Sequence, residues 1–169
     1  MNSSALQSGV PLKLISLLLI VGGAAGVGIA LWAEAGAASI SHLAFIAFVV
    51  LVFMWSVWVG IDLWKGRPRG YTGSKVLFAL QIPSITFPGF AYQFYIGSVL
   101  GLSFSNAAET KLNLDFQLGS AINLQLSSEI GSLIFGVNLV AVVVLIYLIR
   151  SSRRQRGHIR QGSEAPEVT

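Results

Sequence analysis

The sequence predicts an integral membrane protein of the α+β class, in which three transmembrane helices hold an antiparallel β-meander. The first observation is composition: 54% of the 169 residues are hydrophobic and only 11% are charged. A soluble domain carries about a quarter charged residues. The second observation is that residues 90–127 alternate between apolar and polar, which is the period of a strand with one apolar face. Apolar blocks of helical length flank this stretch on both sides.

Three apolar runs, residues 12–32, 43–64 and 130–149, predict the transmembrane helices. Each is close to the ~20 residues that cross a ~30 Å hydrocarbon core. Residues 1–11 form a polar N-terminus. Ala33-Glu34-Ala35 has the small-x-small form of a signal-peptide cleavage site. Because the preceding apolar run exceeds the ~7 to 15 residues usual in signal peptides, we interpret it as a membrane helix rather than a cleaved signal.

Two features inside the predicted spans indicate packing. Gly22, Gly26 and Ala30 recur at intervals of four, so one face of the first helix has almost no side chains and another helix can approach it closely. Asn138 lies near the middle of the last span. A single Asn in a bilayer is expected to make a polar contact with a neighbouring helix.

The β-rich module is predicted at residues 76–128, after a basic loop at residues 65–75. The phrase from Phe94 to Ser105 recurs from Phe116 to Ser127, with matching apolar positions and a shared Gly-Ser step. Two related hairpins are therefore predicted, with Gly-Ser steps in the tight turns and residues 106–110 as the turn between them. The apolar face of the second hairpin is the candidate interaction face, and its members are Leu112, Leu114, Phe116, Leu118, Ile122, Leu124 and Leu126.

An alternative arrangement has four spans, with a Pro-kinked helix at residues 76–96 and a short hairpin at residues 111–127. Pro83 and Pro88 oppose it, because each would break a helix. The charges favour the four-span arrangement, because it places ten of the eleven Lys and Arg residues on one side of the membrane. The three-span arrangement places six on one side and five on the other. The β module, supported by the internal repeat, is the preferred interpretation.

The charged flanks have structural interpretations. Asp62 lies one turn before Lys65, which predicts an ion pair at the membrane edge. Residues 150–169 are predicted to be a basic, disordered tail that anchors the last helix.

No constellation of catalytic, cofactor-binding or metal-binding residues is visible, so the sequence predicts no enzyme and no cofactor. Cysteine is absent, and neither His42 nor His158 has a second ligand at metal-binding spacing. In the four-span arrangement, one side of the membrane could gather an acidic cluster with His42, formed by Glu34, Glu109, Asp115 and Glu129, but solvated loop charge explains it equally well.

The function predicted from these features is that of a non-enzymatic accessory or interaction protein of the bacterial inner membrane. It would present its β module at the membrane surface, with the lipid bilayer, a second copy or another membrane protein as partner. Nucleic acid is not expected, because the basic tail lacks interleaved aromatic residues. The alternative is an oligomeric channel or transporter subunit, with Asn138 and the segment around Pro83 and Pro88 lining the path.

Overall fold

The computed structural model describes residues 9–33, 40–106, 110–125 and 133–163. These residues form four helices and a four-stranded antiparallel sheet, which confirms the predicted α+β class. The elements in order are α1 (Val10–Ala33), α2 (Ile40–Trp64), α3 (Pro68–Gln81), β1 (Pro83–Phe87), β2 (Phe90–Asn106), β3 (Thr110–Gln125), β4 (Ile134–Asn138) and α4 (Leu139–Ser163).

The first two predicted spans are helices α1 and α2, which pack against each other in opposite directions. The Ser56 hydroxyl of α2 donates to the Leu19 carbonyl of α1 across 3.0 Å. Within the described residues, Val10–Trp32 and His42–Trp64 are the two segments that are long and apolar enough, by length and composition, to cross a membrane.

The third span, predicted at residues 130–149, is not helical throughout. Residues Ile134–Asn138 form β4, and the apolar part of the helix that follows is the shorter segment Leu139–Ser152. The prediction failed because a short apolar run fits a buried strand as well as a helix, and only pairing distinguishes them. The tail predicted to be disordered continues α4 as far as Ser163, since a helix that is already nucleated extends readily through Arg and Gln.

The basic loop predicted at residues 65–75 is also corrected, because most of it belongs to α3. The chain does stop at the end of α2: Gly66 has a φ of 68°, and the Arg67 N–H donates to the Asp62 carbonyl at 2.9 Å. This is the Schellman arrangement that ends many helices. Pro68 then occupies the first turn of α3, where its missing N–H costs nothing.

The same turn changes the partner of Asp62. Its carboxylate pairs with the Arg67 guanidinium at 2.8 Å, and not with Lys65 as the sequence suggested. The Trp58 indole N–H also donates to this carboxylate, at 3.2 Å.

The alternative helix at residues 76–96 is excluded as well. α3 ends at Gln81, β1 starts at Pro83, and a turn at Pro88-Gly89 leads into β2, with Gly89 at a φ of 91°. The two prolines therefore stand at the edges of a strand, where a missing N–H is tolerated.

The meander of two hairpins is replaced by one long hairpin, β2–β3, with β1 and β4 on its other edge. The strand order is β1-β4-β2-β3, and β1 also pairs with β2. The two copies of the repeated phrase are the two strands of this hairpin: Gly97 lies directly opposite Gly119. The reversal occurs between Asn106 and Thr110, where a turn was predicted. The Gly-Ser steps are not turns.

The Gly-Ser steps bend the hairpin instead. β1 pairs antiparallel with residues 90–92 of β2, β4 pairs antiparallel with residues 101–105, and β1 and β4 pair antiparallel with each other. All three pairings are compatible only if β2 changes direction strongly between residues 92 and 101. Gly97 and Gly119 lie within that bend, with φ values of 81° and 140° that other residues rarely adopt.

The chain enters and leaves the sheet at one end of the helices, where the Asn138 N–H bonds to the Ile82 carbonyl, and basic residues gather at the other end. The Lys13 ammonium lies 5.8 Å from the Trp64 ring, and Lys75 of α3 donates to the Ser152 hydroxyl of α4 at 2.6 Å. We call this the basic end, formed by the start of α1, the end of α2, the start of α3 and residues 150–152 of α4. α3 leads from the basic end to the sheet, and α4 leads from the sheet back to the basic end. The basic residues before and after the β module in the sequence therefore lie at one end of the helices.

The core lies between the helices and the first half of β2. Its largest fully buried side chains come from every helix and from β2, and include Leu19, Phe53, Phe78, Ile96 and Leu148.

Candidate interaction surface

The bend of the hairpin rests on the middle of α1 through small residues. A Cβ on Gly22 would lie 2.7 Å from the Gly97 nitrogen, so the two backbones meet with no room for a side chain. The Ser120 hydroxyl donates to the Gly22 carbonyl at 2.7 Å and accepts the Gly97 N–H at 3.0 Å. One hydroxyl therefore joins both strands of the hairpin to the helix.

The small residues predicted to pack helices have two different neighbours. Gly22 faces the sheet. Gly26 faces α2, where a Cβ would lie 2.6 Å from the Phe53 ring. Ala30 is partly buried against the core.

The even-numbered side chains of β2 and β3 form one face of the sheet, and the helices cover only part of it. On the covered part, Phe94 packs against Phe53 of α2 with ring centroids 6.4 Å apart, and Ile96 is fully buried. Past the bend the same face continues outward. We call this continuation the uncovered apolar face. Its members, related by cross-strand pairing, are Leu100, Leu102, Phe104, Leu112, Leu114, Phe116, Leu118, Phe135 and Val137.

The predicted interaction face is divided by the bend. Leu112, Leu114, Phe116 and Leu118 belong to the uncovered apolar face, with relative exposures between 61% and 75%. Ile122 lies on the covered side, partly buried against the core, and Leu124 is exposed at its margin. Leu126 lies outside the described residues.

The opposite face of the hairpin carries a polar network. The Tyr95 hydroxyl donates to Gln117 Oε1 at 2.9 Å, and Gln117 Nε2 donates to the Asp115 carboxylate at 2.5 Å. Burial, and then the nearby Asp115 charge, raise the pKa of Tyr95, so its phenol stays protonated and remains a donor. The hairpin is therefore amphipathic, with hydrogen-bonded polar groups behind the apolar face.

A shallow groove joins this hairpin to the outer side of α1. Its volume is about 370 Å³, and it is lined by α1 side chains from Leu14 to Ala25 and by Gly97 and Gly119 at the bend. A second apolar cavity of about 160 Å³ lies between α1, α2 and β3, next to Phe53 and Ile122.

Asn138 is the last residue of β4 rather than a residue within a membrane helix. Its side-chain oxygen accepts the N–H groups of Val140 and Ala141 at 3.1 and 3.3 Å, so it caps the start of α4. Its backbone N–H donates to the Ile82 carbonyl at 2.9 Å, which ties the start of α4 to the end of α3.

Gln81 is a buried polar residue that the sequence analysis did not single out. Its Oε1 accepts the Ile96 N–H at 3.0 Å, which joins the end of α3 to β2. The side-chain nitrogens of Gln81 and Asn138 are buried without a hydrogen-bond partner in the described part of the chain. The sequence signal that could have identified Gln81 is its place as a polar residue in an apolar run, the same signal that marked Asn138.

Among the described residues, no group of three or more His, Asp or Glu side chains could hold a metal ion. Of the acidic cluster drawn from the sequence, Glu34, Glu109 and Glu129 lie outside the described ranges. The residues that sequence reasoning missed are Gly97, Gly119 and Ser120, which it noticed as a repeated step but assigned to turns.

Comparison of the chain with protein-family models, with curated proteins and with solved structures finds no match.

Proposed function

We propose that this protein is a multi-pass, non-enzymatic accessory protein of the bacterial inner membrane that docks a partner membrane protein on its uncovered apolar face. One observation carries the proposal: this face extends over three strands, has no charged member, is apolar apart from Ser98 opposite Leu118, and leaves Leu112, Leu114, Phe116 and Leu118 largely exposed. Exposed apolar patches that continue a core usually mark an interaction site.

The outward surfaces of α1 and α2 support a membrane location. Only 33% and 28% of their most apolar windows are buried, whereas the core helix of a soluble protein is mostly buried. Large apolar side chains point away from the core instead, as with Leu51 at 65% and Trp58 at 70% exposure. Lipid is the solvent that suits such a surface.

The basic end supports an orientation. Lys13, Lys65, Arg67 and Lys75 lie near the same end of the helices as Arg150, which by the positive-inside rule faces the cytoplasm. The sheet then lies toward the opposite side of the membrane.

The groove on α1 supports an apolar helix as the docking segment of the partner. It runs from the outer side of the helix to Gly119 at the bend, the residue that follows Leu118 of the uncovered apolar face. Ala25 and Gly119 leave room for another backbone, as small residues do between membrane helices, because Ala25 is exposed and a Cβ on Gly119 would meet nothing within 4 Å.

No observation favours the channel alternative. The Asn138 oxygen is engaged in a helix cap. The buried hydroxyls of Ser16 and Ser56 donate to helix carbonyls at 2.8 and 3.0 Å. These oxygens therefore have structural partners, which supports the accessory function over the channel.

The test is co-purification of the tagged full chain from native membranes, comparing Phe116→Asp with the control Asn123→Asp. Asn123 is exposed in the same strand on the opposite face. Burial of a Phe contributes about 1.5–3 kcal/mol, so Phe116→Asp should lower partner recovery at least ~10-fold. Asn123→Asp should leave it unchanged.

A benzophenone amino acid at position 116, irradiated in intact cells, gives an independent readout. A discrete protein adduct supports the proposal. Adducts with lipid alone would overturn it, because the face would then be covered by the bilayer.

A further inference from the structure

β3 is an open edge strand. One side pairs with β2 along residues 110–125, and no described strand pairs with the other side. Between the hairpin turn and the bend, residues 112–118 are exposed on both faces. Natural proteins usually protect such an edge with charged side chains, a proline, a bulge or a covering element, and of these devices residues 110–118 carry two charges, Lys111 and Asp115. Here residues 110–118 contain no proline, and their register with β2 is one to one without a bulge.

We propose that a second copy of this chain pairs with this edge, forming an antiparallel β3–β3 contact with its two-fold axis at Leu114. The proposal goes beyond the docking function, because it uses the backbone edge rather than the apolar face. A two-fold dimer uses the same surface on both copies, which an antiparallel strand pair satisfies.

The length of the paired segment selects this register: an axis at Asn113 would also preserve both faces and would place Lys111 opposite Asp115, but it would pair only residues 110–116 of the segment. A shift by one residue would place leucines opposite polar residues and break the continuity of both faces. An axis at Asp115 would place two carboxylates opposite each other, which is unfavourable. An axis at Leu114 uses the whole segment 110–118. It places Asn113 opposite Asp115 of the second copy, an amide donor facing a carboxylate, and Leu112 opposite Phe116.

The consequence is one sheet that runs through both copies. Their uncovered apolar faces then become a single surface on the same side of the sheet, and the polar networks of both copies lie behind it.

The chain contains no cysteine, so single cysteines report the register directly. Directly opposed residues in antiparallel strands have Cα atoms about 4.5–5.5 Å apart, within disulfide range. Oxidation of Leu114→Cys in membranes should give a reducible dimer. Leu112→Cys or Phe116→Cys alone places the thiols about 13 Å apart, and should give at least ~5-fold less dimer.

Co-expression of Leu112→Cys with Phe116→Cys should restore the dimer, and this pair leaves position 114 intact. No dimer from either Leu114→Cys or the mixed pair overturns the proposal. Equal dimer from every single cysteine also overturns it, because random collision then explains the product.

A charge change gives a second readout. In the Leu114→Cys background, Asn113→Asp places a carboxylate opposite Asp115 and should lower the dimer several-fold, whereas Asn113→Lys should preserve it. Equal yields would exclude this register.

The oxidation is repeated on the purified chain in phosphatidylethanolamine–phosphatidylglycerol vesicles, where no other protein is present. A negative result there contradicts the dimer alone, and unchanged partner recovery with Phe116→Asp contradicts only the docking proposal.

Discussion

At the scale of single residues, one junction decides the shape of the molecule. Gly22 of α1 and Gly97 of β2 touch backbone to backbone, and the Ser120 hydroxyl bonds to both. Both strands need a positive φ at the bend, which only glycine adopts readily. The three residues therefore fix where the hairpin leaves the helices, and so where the apolar face becomes uncovered.

Gly22→Ala should destabilise the protein by about 1–3 kcal/mol, because the new Cβ would lie 2.7 Å from backbone that cannot move easily. Gly28→Ala in the same helix is the matched control, since a Cβ there meets nothing within 4 Å. Replacing that glycine should be neutral or stabilise by up to ~1 kcal/mol. Thermal unfolding in detergent, followed by circular dichroism, measures both. If the unfolding temperature of Gly22→Ala is equal to or above that of Gly28→Ala, the close contact between Gly22 and Gly97 is contradicted.

At the scale of elements, the informative boundaries are those where a strand meets a helix inside an apolar run. The run from residue 130 to 149 changes from β4 to α4 at Asn138, and the run from residue 76 to 96 changes from α3 to β1 at Ile82. The Asn138 N–H bonds to the Ile82 carbonyl, so the two changes occur side by side. Composition does not reveal such a change, because Val, Ile and Phe suit both structures when buried.

Asn138→Leu should lower stability by about 0.5–2 kcal/mol, the usual effect of losing a helix cap. Asn138→Ser should recover most of that loss, because a hydroxyl can accept the same N–H groups and the Asn138 side-chain nitrogen has no partner among the described residues. Unfolding midpoints of the two variants and the parent give the comparison. Equal losses in both would show that volume, and not the cap, determines the effect.

At the scale of the whole molecule, α3 and α4 explain how a sheet coexists with a one-sided charge distribution. Both connect the basic end to the sheet and are close enough there for Lys75 to bond to Ser152. The flanks at residues 65–75 and 150–152 therefore share an end without a full-length helix between α2 and α4. The three-span arrangement had placed these flanks on opposite sides.

Single cysteines test this arrangement in the cysteine-free chain. Thr72→Cys and Ser151→Cys should react with a membrane-impermeant maleimide from the same side, the cytoplasmic side of inverted vesicles. Gln117→Cys, on the polar face of the hairpin, should react from the opposite side in spheroplasts. Labelling of positions 72 and 151 from opposite sides would contradict the shared basic end.

The sequence alone determined the α+β class, the helices at residues 12–32 and 43–64, the strand character of residues 90–125 and the apolar side of β3. These follow from local periodicity and composition, which each segment carries within itself. The tertiary structure decided that the repeat is one bent hairpin, that residues 134–138 form a strand, and that Asn138 caps a helix. It also decided which half of the apolar face is covered. Those outcomes depend on pairing and close approach between distant segments, as where Gly22 meets Gly97, and no local pattern contains that information.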